Sequence, residues 1–113
     1  MEIIEAVLYK PGERGAVIKI EPTLAKLQEL VGGHVQVVRI APEDKPLMLI
    51  VNEDGRRLGL PYCRSLPYWD DKSYVELVGP IVITGDWRDA DDKTHIASLT
   101  ADDKNRVFKL FGA

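Results

Sequence analysis

The residues best suited to chemistry lie between positions 52 and 69. Asn52-Glu53-Asp54-Gly55 is a turn signal, because an Asp-Gly step supports positive φ. Arg56 and Arg57 follow at its tip, and Tyr62, Arg64, Tyr68 and Trp69 come soon after. A guanidinium fork matches a carboxylate or a phosphate, and an aromatic face stacks on a base or on another guanidinium. Asn52, Arg56, Arg57, Tyr62, Arg64, Tyr68 and Trp69 could together hold a small, nucleotide-like anion. They could equally form a protein contact, where Tyr, Trp and Arg carry most of the binding energy. Trp87, between Asp86 and Arg88, is a further anchor if exposed. The opposing reading makes the rings a cover for the open face of a sheet and pairs the arginines with Glu53 and Asp54.

Catalytic and metal chemistry find less support. The chain has two histidines, His34 and His95, and one cysteine, Cys63. A Cys/His nucleophile pair needs both groups within hydrogen-bond reach, and nothing in the spacing brings them together. Cys63 reads as a half-buried structural thiol. Gly12 to Gly15 and Gly32-Gly33 miss phosphate-loop spacing. Asp86, Asp89, Asp91 and Asp92 lack the alternation, central glycine and terminal glutamate of a calcium loop. No enzyme activity, metal or cofactor is expected.

The elements that must position these residues form a single domain over 1–113. The 113 residues are 45% hydrophobic and 29% charged, the balance of one soluble globular domain. A chain of this length buries roughly two thirds of its unfolded surface, enough for one core without disulfides. A lone cysteine fits a reduced, cytoplasmic setting. No apolar run approaches the roughly 20 residues that span a bilayer. The start, Met1-Glu2-Ile3-Ile4-Glu5, is acidic, so no signal peptide and no membrane partner are expected.

The net charge of −3 is uneven: residues 70–103 carry nine acidic and three basic side chains, and residues 1–69 balance. Nucleic-acid binders need clustered Lys and Arg, so nucleic acid is not the expected partner. An acidic patch suits a basic partner, although a solvated acidic loop over 86–92 is the plainer reading.

Residues 3–9 and 16–20 read as strands joined by the turn Lys-Pro-Gly-Glu-Arg-Gly. Leu24, Leu27, Leu30 and Val31 share a helical face, opened by Pro22 and Thr23 and stopped by Gly32-Gly33. His34–Ile40 is a strand. Leu47–Val51 is an unbroken apolar run, as in a central strand covered on both faces. Arg56–Leu60 reads as the short return arm of a hairpin, and residues 61–73 as an ordered loop. Residues 74–85 read as a strand bent at Gly79-Pro80. A short strand at 96–98 precedes a helix that Thr100 caps, with Asp102 and Asp103 in its first turn. The order is β-β-α-β-β-β-loop-β-(β)-α: an α+β domain with a mainly antiparallel β-sheet and two helices, expected on one face.

Four segments also carry a resemblance. They are Thr23-Leu24 through Val31-Gly32-Gly33 and Val35; Val51-Asn52-Glu53-Asp54-Gly55 through Leu60-Pro61 and Arg64; Val78-Gly79-Pro80-Ile81-Val82-Ile83-Thr84-Gly85; and Ser98-Leu99-Thr100. In these the chain resembles a family of small phage, plasmid and bacterial proteins catalogued as domain of unknown function thirty-eight forty-six. The family pattern has asparagine where this chain has Cys63. The resemblance implies a shared fold and a mobile-element setting, and it brings no activity with it.

The expectation is therefore a non-catalytic binding protein that contacts a macromolecule. A phage or mobile-element counter-defence factor against a host protein is an extension of it. The alternative is a binder that sequesters a small nucleotide-like anion. An open sheet edge would also allow a homodimer.

Overall fold

Two β-branched runs separated by a glycine-containing turn pair first in the computed structural model, which describes residues 2–41, 45–67, 74–88, 90–91 and 94–112. Strand β1 (Ile4–Tyr9) pairs antiparallel with β2 (Ala16–Ile20), Ile4 opposite Ile20. Helix α1 (Leu24–Val31) follows. The Thr23 hydroxyl accepts from the Lys26 N–H at 3.2 Å, and Gly32 ends the helix at φ 80°, a conformation that costs glycine no Cβ clash. Leu27 and Val31 are buried, whereas Leu24 at the helix start is exposed.

Strands β3 (Val35–Ile40) and β4 (Leu47–Asn52) pair antiparallel in unbroken register. All six residues of β4 are buried, as its continuous apolar run required. Strand β5 (Tyr62–Pro67) pairs with β6 (Tyr74–Val78) in a separate two-stranded sheet. At Gly79 (φ 74°) and Pro80 the chain leaves that small sheet and enters the large one as β7 (Ile81–Arg88). The positive φ favours glycine there, and a Cβ would also push on the tip of the Leu60 side chain, 2.7 Å away. Strand β8 (Thr94–Ala97) folds back on β7. Helix α2 (Ala101–Phe111) closes the domain.

The large sheet runs β2-β1-β7-β4-β3, with β8 on β7. Gly85 pairs with Leu47 on one side and Ala97 on the other, so β8 continues the line of β1. One sheet face packs Ile4, Ala6, Leu8, Ile50 and Val82 beneath Leu27 and Val31 of α1. The other packs Val7, Tyr9, Leu49, Val51, Ile81 and Ile83 beneath Cys63, Leu66 and Leu77 of the small sheet and Val107 and Phe111 of α2.

The α+β class, the antiparallel sheet and the two helices follow the sequence. Three expectations are corrected. The helices cover opposite faces, because the β5–β6 hairpin shares one face with α2 and leaves the other to α1. Arg56–Leu60 is not a return strand: β3 and β7 already occupy both edges of β4. That segment is a series of turns, held by Leu58 N–H to Asp54 O at 2.9 Å and Leu60 N–H to Gly55 O at 2.9 Å. The expected loop at 61–73 contains strand β5, whose alternation is broken by a register shift between Tyr62 and Arg64.

The last helix carries a testable electrostatic detail. Thr100 and Asp103 form a reciprocal capping box, and Asp103 also pairs with Arg106. Burial pushes the Asp103 carboxyl up. The Thr100 N–H, the Arg106 guanidinium and the Thr100 hydroxyl outweigh it and hold the group below its ordinary range. A depressed carboxylate stabilises the fold above its unfolded pKa and loses that contribution as pH falls through the lower folded value. Asp103→Asn is therefore expected to cost about 1 kcal/mol at pH 7. The gap to wild type should close below about pH 4 in denaturant titrations.

Candidate functional site

Asn52 stands where β4 runs into the turn, and both ends of its amide are engaged. Its amide donates to Val31 O at 3.1 Å, and its oxygen accepts from the Asp54 N–H at 2.8 Å. Asn52 thus fastens the end of α1 to the turn, a role that needs one donor and one acceptor in a buried place.

The arginines take separate partners. Arg56 donates to Glu76 O on β6 at 3.0 Å. Arg57 lies 3.3 Å from Asp54 and is largely exposed. Arg64 points elsewhere: it donates to Cys63 O and to Glu13 O, each at 2.7 Å, and its guanidinium lies 4.7 Å from the centre of the Tyr9 ring. It ties the small sheet to the β1–β2 turn. The Tyr62 hydroxyl shares a 2.8 Å hydrogen bond with Ser65, and its ring is half exposed. The expected common surface of three guanidiniums is thus replaced by three local contacts. Tyr68 and Trp69 lie outside the described residues, and for Trp87 only the backbone is described.

What does converge is a half-open cleft of about 250 Å³ between β3, β4 and β6. Val38, Val51, Leu77 and Val78 supply its apolar surface; Gln36, Glu53, Arg56 and Glu76 supply polar groups at its exposed rim. Strand alternation explains the set. Gln36 and Val38 stand opposite Val51 and Leu49 on the face that the small sheet covers, and β6 closes over it. Asn52 borders the cleft, but its amide points to α1. Of the expected residues, Arg56 and Asn52 line the cleft, and Arg57, Tyr62 and Arg64 do not. Glu53 was expected only in the turn and as a partner of the arginines, and Gln36 and Glu76 were missed. Their signal was a polar side chain interrupting an otherwise apolar strand, which is legible only once the covered face is known.

Cys63 is buried, with its sulfur 3.7 Å from Tyr9 O. Burial pushes the thiol up, and the nearby Arg64 only partly offsets this. Such a thiol stays protonated near neutral pH, the opposite of an activated nucleophile. His34 faces Asp54 at 3.8 Å from an exposed position. Asp86 is not a solvated loop carboxylate: it sits in β7 with its side chain 3% exposed, 3.6 Å from Arg39. Among the described residues, no group of three His, Cys, Asp or Glu side chains is placed to hold a metal. No helix among them is long and apolar enough to cross a membrane.

Fold and cleft together define a small α+β domain, a central antiparallel sheet with a lined recess at its β3 end. The chain belongs to the family described as Domain of unknown function (DUF3846), whose model matches residues 4–112. No curated protein and no solved structure matches it.

Proposed function

We propose that the domain is a non-catalytic binding module that acts by contact with a protein partner, and that the cleft between β3, β4 and β6 receives it. The supporting observation is the pairing of an apolar floor with a charged rim in one recess. The rim carries two carboxylates, Glu53 and Glu76, against one guanidinium, Arg56, which donates to the main-chain carbonyl of Glu76. That balance favours a cation. A lysine or arginine side chain would lay its aliphatic stem over Val38, Val51 and Leu77 and set its head near the carboxylates. The volume suits one long side chain rather than a whole cofactor. A partner from the host of a phage or other mobile element is the setting that the family resemblance suggests.

Calorimetric titration with Nα-acetyl-arginine amide and, separately, with adenosine monophosphate tests the reading. The first ligand is expected to bind saturably in the millimolar range and about tenfold more weakly to the Glu53→Gln, Glu76→Gln double variant. Adenosine monophosphate is expected to give no binding. Binding of the nucleotide that disappears in Arg56→Ala would replace this reading with sequestration of a small anion. Binding of neither ligand would remove the cleft from the account.

A further inference from the structure

The outer edge of β3 carries main-chain groups that the cleft, lined by the Gln36 and Val38 side chains, does not use. The Glu53 N–H donates to His34 O at 2.8 Å, immediately ahead of the Val35–Asn52 pair. In an antiparallel ladder, alternate residues then turn their main-chain groups the same way. Gln36, Val38 and Ile40 bond towards β4. Val35, Val37 and Arg39 point their N–H and C=O groups outward, where no described strand pairs with them.

Among the described residues, three of the usual protections are missing from this edge. It has no proline, and its register with β4 shows no bulge. Its one charge, Arg39, is drawn to the buried Asp86 carboxylate on the sheet face, 3.6 Å away. Val37, at the centre, is 45% exposed.

We infer that β3 is the dimer interface of this protein, pairing antiparallel with β3 of a second copy about a two-fold axis at Val37. The occupant follows from self-complementarity. With Val37 opposite Val37, each Val35 faces an Arg39, so no like charges oppose one another and the outward main-chain groups of all three residues find partners. The exposed valines cover each other. On the opposite face Gln36 of each copy stands beside Val38 of the other, so two clefts adjoin on one continuous sheet.

Sedimentation equilibrium of the full chain, combined with amide hydrogen exchange, tests this without any ligand. The expected result is a species of twice the chain mass at rising concentration, with the amides of Val35, Val37 and Arg39 gaining protection as it forms. Val37→Pro removes only an outward donor, so it should stay folded by circular dichroism and sediment at the chain mass. Val37→Lys, which leaves the backbone intact, should do the same. A wild-type chain that stays at the chain mass throughout would overturn the inference, and leave the edge open to an extended segment of another protein. A dimer that survives both variants, or forms while those three amides still exchange freely, would overturn it too.

Discussion

Replacing Leu49 by alanine is expected to destabilise the domain by about 3–4 kcal/mol. Leu49 has no exposed surface and sits in the middle of β4, flanked by β3 and β7. Its side chain belongs to the cluster beneath the small sheet and α2. Truncation removes its transfer free energy and leaves a cavity between strands that cannot close, because both neighbours are fixed by ladders. For a domain whose total stability is about 5–15 kcal/mol, this is a large fraction. Urea denaturation at 25 °C would read it as a lower midpoint at unchanged slope. A loss below about 1 kcal/mol would mean that the central strand is packed less tightly than described.

The second large effect is expected at Asn52, and it separates a structural role from a binding role. Asn52→Ala leaves the buried Val31 carbonyl and the part-buried Asp54 N–H without their partner. Each unsatisfied group costs about 1–3 kcal/mol, so a loss of about 2–3 kcal/mol is expected. Asn52→Asp should be nearly as costly. It keeps the acceptor for Asp54 but sets a carboxylate against the Val31 carbonyl oxygen. Affinity for Nα-acetyl-arginine amide, measured on the folded fraction, should change little in either variant. Unaltered stability with lost binding would return Asn52 to the ligand site.

Local chemistry carried much of the fold into view. Thr23 and Gly32 mark the limits of α1, and Thr100 with Asp103 marks the start of α2, because caps are written within a few residues. Strand β5 was hidden by its own geometry. The shift between Tyr62 and Arg64 leaves Cys63 and Leu66 buried three positions apart, so the alternation of a strand does not show. The faces taken by the helices were hidden for a different reason. Apolar positions state that a helix has a buried stripe, not which side of a sheet receives it.

The site was legible only in part. The turn signal Asn52-Glu53-Asp54-Gly55 puts Arg56 near an exposed tip, although the return arm expected from Arg56 onward is a series of turns. The neighbour of Arg56, Glu76, comes from another sheet and Gln36 from an edge strand, and only tertiary packing joins them. Arg64 illustrates the converse. An arginine near aromatic residues suggests a ligand fork, yet the ring it meets is Tyr9, from an early strand, and both of its terminal nitrogens donate to main-chain oxygens. Residue type proposes a chemistry, and the geometry of the donors decides whether any capacity remains for a ligand.

Backbone amide shifts of the full chain, followed by nuclear magnetic resonance during titration with Nα-acetyl-arginine amide, test the proposed cleft most directly. The account predicts saturable shifts centred on Gln36, Glu53, Arg56 and Glu76, strongly reduced when Glu53 and Glu76 are both glutamine. Shifts confined to another surface, or of equal size in that double variant, would contradict it.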